Sequence, residues 1–176
     1  TGTYISLDVG YGHACVMDST GLIECWGDDY YGQVSGIPSG TYSQLSVGQY
    51  HNCALDSDGY AICWGWSSNG NLIPPAERFV SISSGNNHNC ALDEDGEITC
   101  WGDDSYGKDS PPPGSFISVV SATYNSCAMD SAGLIECWGY TGYNVDHPPV
   151  DAFVQFDIVD NHVCGIDFNN NVQCWG

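Results

Sequence analysis

The chain has 176 residues, 42% of them hydrophobic, and sets 22 acidic residues against two basic ones, Arg78 and Lys108, for a formal charge of −20. That charge repels phosphate backbones and anionic lipid, which excludes nucleic acid and membrane surfaces as partners. The length suits one domain with a real core, and no apolar run approaches the roughly 18 residues that cross a bilayer.

In chain order, the first element begins at Tyr4 and its equivalents at Tyr42, Phe79, Phe116 and Phe153. Each opens a unit that closes on the same three residues: Cys25-Trp26-Gly27, Cys63-Trp64-Gly65, Cys100-Trp101-Gly102, Cys137-Trp138-Gly139 and Cys174-Trp175-Gly176. The copies stand 38, 37, 37 and 37 residues apart. A fixed period of this size marks a repeat architecture. The repeats fall at 4–41, 42–78, 79–115, 116–152 and 153–176, within a single propeller domain spanning 1–176.

The third repeat shows the internal pattern. Residues 79–84 alternate as a strand, Gly85-Asn86-Asn87 turns the chain, and residues 88–93 and 97–101 form two further strands. A polar loop and Pro111-Pro112-Pro113 lead to the next repeat. No helical periodicity occurs. In every second strand the residue after Cys is small and the next is large, as in Ala54-Leu55 and Ala91-Leu92. In every third strand the position two before Cys is apolar: Ile23, Ala61, Ile98, Ile135 and Val172. Trp therefore packs on one face of the hairpin and the Cys-Leu-Ile set on the other. A small sheet buried on both faces needs a neighbour on each side, which predicts an all-β, five-bladed β-propeller of three-stranded antiparallel blades. No strand passes between first and last repeat, so a ring closes by face packing alone.

Ten cysteines form five pairs of constant separation: Cys15 and Cys25, Cys53 and Cys63, Cys90 and Cys100, Cys127 and Cys137, Cys164 and Cys174. Between the partners lies a turn: Asp18-Ser19-Thr20-Gly21, Asp56-Ser57-Asp58-Gly59, Asp93-Glu94-Asp95-Gly96, Asp130-Ser131-Ala132-Gly133 and Asp167-Phe168-Asn169-Asn170. Asp bonds its own backbone, and Gly (or Asn170) supplies the positive φ. A hairpin centred there sets 53 opposite 63, at a spacing that a disulfide bridges. Each blade is thus stapled internally. The regular even set also points to an oxidising compartment: secreted or extracellular, or else periplasmic or cell-surface. Zinc ligands stand two to four residues apart, and no such cysteine spacing occurs. The chain opens at Thr1, as a processed N-terminus would.

The pattern aromatic-x-x-x-x-x-Gly-x-x-His-x-Cys-Ala-Leu-x-x-x-Gly-x-x-x-Cys-Trp-Gly, followed by Tyr31-Gly32-Gln33 or Tyr106-Gly107-Lys108, resembles the regulator of chromosome condensation repeat family. The short repeats are most similar to its secreted branch, whose blades are three-stranded and which includes a propeller-type β-lactamase inhibitor. Those relatives have seven blades. Five here implies a smaller ring, or an open arc completed by another subunit. The nuclear members exchange nucleotide on a small GTPase and dock on chromatin. Disulfides and the acidic charge argue against that activity here.

Several residue sets compete for a function. His13, His51, His88 and His162, with Asn125 in the fourth repeat, precede the first Cys by two; they suit bonds to neighbouring backbone better than a metal ring. Asp28-Asp29 and Asp103-Asp104 recur at one place, yet two carboxylates do not make a calcium site, and no twelve-residue calcium loop is present. The Cys-Trp-Gly tryptophans belong to the core. Trp66 has no counterpart and lies in a loop, as do Tyr30, Tyr31, Tyr106, Tyr140 and Tyr143. Loop aromatics supply rigid contact area for proteins or sugars. No catalytic constellation breaks the repeat, and no cofactor or metal is implied, so the chain reads as a non-enzyme. The expected function is an extracellular protein-binding or structural module whose partner is another protein or copies of itself, forming a larger extracellular structure. Thr1-Gly2-Thr3 resembles the end of a connector, which suits units joined end to end. The alternatives are a carbohydrate-binding lectin and an inhibitor of a secreted hydrolase.

Overall fold

A computed structural model describes residues 3–142 and 144–176. Fifteen strands follow one another: β1 (Tyr4–Val9), β2 (His13–Asp18), β3 (Ile23–Gly27), β4 (Tyr42–Val47), β5 (His51–Asp56), β6 (Ala61–Gly65), β7 (Ser81–Ser84), β8 (His88–Leu92), β9 (Ile98–Gly102), β10 (Phe116–Ser121), β11 (Asn125–Asp130), β12 (Ile135–Gly139), β13 (Phe153–Val159), β14 (His162–Asp167) and β15 (Val172–Trp175). They form five three-stranded antiparallel sheets in sequence order, which makes the protein a five-bladed β-propeller.

The Asp turn sets the register within each blade. Asp56 Oδ1 accepts the N–H groups of Asp58 and Tyr60, and Gly59 takes φ 87°, a conformation in which a Cβ would strain the backbone. In the last blade Asn170 does the same at φ 63°. With the turn so fixed, Cys53 lies opposite Cys63 and Leu55 opposite Ala61. The same register places one disulfide in every blade: Cys15–Cys25, Cys53–Cys63, Cys90–Cys100, Cys127–Cys137 and Cys164–Cys174.

Successive blades meet through one recurring joint. Cys15 and Met17 of blade 1, with Ile23 and Cys25, pack against Tyr42, Leu45, Val47 and Trp64 of blade 2. Cys53, Leu55 and Ala61 meet Phe79, Ile82 and Trp101 in the next joint, and Cys90 and Leu92 meet Phe116, Val119 and Trp138 in the third. The fourth brings Cys127, Met129 and Ile135 onto Phe153, Phe156 and Trp175. Among the described residues no buried cluster joins blade 5 to blade 1. Leu7, which stands where Leu45 stands in blade 2, is 65% exposed, and Trp26 is 52% exposed. The face packing expected to close the ring is therefore missing, and a seam separates the first blade from the last.

Polar bonds reinforce the four joints. His13 Nε2 lies 2.8 Å from Asn52 Oδ1, and Asn52 Nδ2 donates to the Gln33 carbonyl at 2.8 Å. Because the amide nitrogen donates to a carbonyl, the amide oxygen must accept, so the imidazole donates from Nε2. Trp64 Nε1 donates to that same Gln33 carbonyl. The next joint repeats the arrangement with His51, Asn89, Asn71 and Trp101. In the third, Ser126 Oγ replaces the amide and Lys108 supplies the carbonyl for Trp138. In the fourth, Val163 stands at the amide position, and of this repeated set the bond from Trp175 Nε1 to the Val145 carbonyl remains. His13, His51 and His88 thus bond a side chain of the next blade rather than the backbone expected from sequence, while His162 in the last blade is exposed. The rings of His13, His51 and His88 also lie on the glycine three residues before each. A Cβ on Gly48 would sit 2.6 Å from His51 Cε1 and 2.5 Å from the Gly85 carbonyl. Where Asn125 replaces His, Ala122 replaces that glycine.

Each innermost strand pairs on one side only. In β4, β7 and β10 the preceding blade covers part of that open edge. Val47 N–H donates to Asp8, Ser84 N–H to Ser46 Oγ and Ser121 N–H to Ser83 Oγ. Free edge groups that would template aggregation are reduced in this way.

Burial lowers the His51 pKa from 6.5 to about 4 and that of His88 to about 3. Both are neutral when folded and charge readily once unfolded. Their contribution to stability is complete above pH 6.5 and is lost as pH falls through 6.5 toward 4. For His51 the loss is of the order of 3 kcal/mol at most. Thermal melts of wild type and His51→Gln, whose amide retains a donor for Asn89, will diverge below pH 6.5, with wild type losing more. Parallel curves would contradict this assignment.

Candidate binding face

The turns β1–β2, β4–β5, β7–β8, β10–β11 and β13–β14 lie at the same end of their blades as the loops that follow each third strand. Loop aromatics gather at this end. Tyr30 and Tyr31, just after β3, meet with ring centroids 4.8 Å apart. Tyr31 also lies 6.0 Å from Trp66, in the loop after β6. Two residues that sequence reasoning missed complete the group. Tyr50, in the β4–β5 turn, lies 5.9 Å from Tyr31 and 6.0 Å from Trp66, and Tyr11, in the β1–β2 turn, lies 5.6 Å from Tyr50. The available signal was the slot beside His, which holds Tyr11 two residues and Tyr50 one residue before it. Tyr11 and Tyr30 are strongly exposed.

A second group spans blades 3 and 4. Tyr106, after β9, lies 5.0 Å from Tyr140, after β12, and 6.5 Å from Tyr124 in the β10–β11 turn. Tyr106 takes φ 72°, unusual for a bulky residue. With Asn161 of blade 5 these three tyrosines line a cleft of about 230 Å³. Tyr143 lies outside the described residues. The structure thus gathers Trp66, Tyr30 and Tyr31 into one patch and Tyr106 and Tyr140 into another. Between the patches, the first turns of all five blades ring the central opening.

The carboxylates considered for calcium have other partners. Asp28 Oδ2 accepts Gln33 Nε2, and Asp29 Oδ1 accepts the N–H groups of Val34 and Ser35. Asp103 Oδ2 pairs with Lys108 Nζ at 2.7 Å. Burial works to raise the Asp103 pKa, but hydrogen bonds from Lys108 and Ser105 outweigh it and hold it at about 2. Gln33, Asn71, Lys108 and Val145 are themselves buried; each loop is tucked in by this residue, whose carbonyl takes the next blade's tryptophan. The chain's other basic residue, Arg78, lies over the Tyr60 ring. Both cations are thus engaged internally. Among the described residues no group of three or more His, Cys, Asp or Glu side chains is placed to hold a metal ion, and no helix is long and apolar enough to cross a membrane.

Disulfide-stapled blades, a repeated Trp joint and one face of loop aromatics define a propeller of short tandem repeats. The chain belongs to the regulator of chromosome condensation (RCC1) repeat family, whose model matches residues 4–33, 42–71 and 79–108, just over half of the sequence. The search of curated protein sequences found no match to the chain. Among solved structures, the ectodomain of the receptor kinase CR4 from Physcomitrella patens is similar at TM-score 0.84 and 27% identity, over 98% of this chain and 50% of that one. The CRINKLY WD40 ectodomain of the receptor kinase ACR4 from Arabidopsis thaliana is similar at TM-score 0.82 and 26% identity, over 99% and 64%. Prp20p from Saccharomyces cerevisiae shares the fold at TM-score 0.84 and 17% identity, over 98% and 58%. This chain therefore spans half to about two thirds of the length of these proteins.

Proposed function

We propose that the protein is an extracellular protein-binding module that acts by contact rather than catalysis, through the aromatic end of its blades. The observation that carries this reading is the convergence of Tyr11, Tyr30, Tyr31, Tyr50 and Trp66 from two blades into one exposed patch. Large rings held rigid by their neighbours make contact at low entropic cost and dominate interface energetics. An extracellular setting is supported by five disulfides and by similarity to two receptor-kinase ectodomains. The charge of −20 favours a basic partner surface, approached faster at low ionic strength.

The test uses Tyr11→Ala and Tyr30→Ala, singly and together, because both rings are mostly exposed and the fold does not need them. Immobilised wild type should retain a defined extracellular protein, and the double variant should retain it at least tenfold more weakly with unchanged melting. Equal retention by both overturns the aromatic face as the contact surface. A glycan array read with Trp66→Ala examines the lectin alternative: sugar binding that this variant abolishes would replace protein binding as the function.

A further inference from the structure

We propose that the cleft walled by Tyr106, Tyr124, Tyr140 and Asn161 binds a primary ammonium group, the kind that ends a lysine side chain. The site lies at the same end of the blades as the patch of Tyr11, Tyr30, Tyr31, Tyr50 and Trp66. It uses none of those rings, so it stands or falls apart from that contact surface.

The three tyrosines cross one another steeply. Tyr106 and Tyr140 meet at 67° with centroids 5.0 Å apart, Tyr106 and Tyr124 at 83° and 6.5 Å, and Tyr124 and Tyr140 at 58° and 6.2 Å. Rings at such angles cannot all stack, which leaves π faces toward the space they enclose. A ring face is negative and attracts a cation within about 6 Å of its centroid. The fourth wall is Asn161, in the β13–β14 turn, whose Oδ1 is buried without a hydrogen-bond donor. A bare buried acceptor is costly, and an arriving N–H would satisfy it. An alkylammonium supplies both requirements: charge for the rings and N–H for the amide oxygen. A quaternary ammonium lacks the N–H, and a neutral group lacks the charge. The volume, about 230 Å³, is below the roughly 300–1,000 Å³ of clefts that hold drug-sized ligands, so it suits one head group with its methylene stem. The charge of −20 draws cations toward the molecule, and the chain's own two are engaged elsewhere, Lys108 with Asp103 and Arg78 over Tyr60.

The cage is formed in advance. Tyr140 N–H donates to the Tyr124 carbonyl at 3.0 Å, and the fully buried Asn125 donates from Nδ2 to the Tyr140 carbonyl. Asn125 makes this bond from the position where the other repeats hold His. Tyr106 is held at φ 72°, which a bulky residue keeps only where its surroundings impose it. Two blades earlier the same three slots carry Tyr31, Tyr50 and Trp66, and Asn87, whose Oδ1 is also buried without a partner, stands where Asn161 stands. Blades 4 and 5 follow that set, yet Tyr31 is still 42% exposed. Later blades thus leave this end of the joint open.

An NMR titration of the full chain, read on the ring signals of Tyr124 and Tyr140, tests the proposal with three probes. n-Butylammonium is the head and stem of a lysine. 1-Butanol has its shape without charge, and n-butyltrimethylammonium keeps the charge without N–H. n-Butylammonium should shift both rings saturably, and 1-butanol at the same concentrations should not. Tyr106→Gly suits the positive φ and removes a ring that is 61% exposed, so the fold holds while n-butylammonium binding falls about tenfold. Asn161→Leu should weaken n-butylammonium and leave n-butyltrimethylammonium as it was, a split that a general loss of structure does not give. A capped Gly-Lys-Gly peptide separates the two sources of the group: competition with n-butylammonium places it on a protein chain, and exclusion of the peptide places it on a free amine. No saturable shift with n-butylammonium, an equal response to 1-butanol, or equal weakening of both cations by Asn161→Leu overturns the proposal.

Discussion

Reducing all five disulfides will unfold the protein at physiological temperature. Each bridge closes a loop between residues ten apart, which contributes about 3 kcal/mol in the chain-entropy model. The five do not add simply, but domain stability is only about 5–15 kcal/mol in total, so losing even two or three is comparable to the whole. The architecture sharpens the effect. Each blade is a three-stranded sheet that shares no strand with its neighbours and joins them chiefly by face packing, and in blades 1 to 4 the bridge sits inside that packing. Reduction should also follow a fixed order. Cys164 and Cys174 are exposed, whereas Cys15, Cys53, Cys90 and Cys127 are fully buried, and thiol exchange needs access. Alkylation read by mass spectrometry should find Cys164 and Cys174 first, while the other pairs hold until the fold opens. A fully reduced chain with an unchanged melting temperature would show that face packing alone suffices.

Replacing one motif tryptophan by alanine will cost very different amounts in different blades. Trp101 is 7% exposed, stacks on Phe79 with centroids 5.9 Å apart, and donates its indole N–H to the Asn71 carbonyl. Trp101→Ala leaves a cavity in the second joint and removes one of the two hydrogen bonds to the Asn71 carbonyl, which keeps Asn89 Nδ2, at about 3–5 kcal/mol. Trp26 occupies the same motif position on the uncovered flank of blade 1. Trp26→Ala should cost less than about 1 kcal/mol, as substitutions away from packed features do. Urea unfolding gives both numbers through the midpoint, provided that the slope is unchanged. Equal costs would mean that blade 1 is covered as the others are.

Much of this fold was legible in the sequence because its causes are local. The Asp18 to Gly21 turn fixes a hairpin, the hairpin fixes the cysteine register, and the period fixes the blade count. What escaped notice lies across repeats. The partner of His51 is Asn89, one period further on, in a position that holds Ala14, Asn52, Asn89, Ser126 and Val163 in turn. A position so variable reads as an ordinary strand residue. Asp28 and Asp103 suggested cation binding because their partners, Gln33 and Lys108, stand five residues on and fold back over them. The sign was the Tyr-Gly-Gln and Tyr-Gly-Lys triplets. The seam was invisible for a different reason: Leu7 and Leu45 are the same residue in the same phase, and only the neighbour in space distinguishes them.

Oxidative footprinting of dilute, monomeric protein tests the central claim, that four joints are filled and one pair of flanks is open, most directly. Peptide mass spectrometry should show Trp26 and Leu7 modified many times faster than Trp64, Trp101 and Trp138 and their aliphatic neighbours Leu45, Ile82 and Val119. Protection of Trp26 and Leu7 equal to that of their counterparts would contradict it, by placing a blade where the structure has a seam.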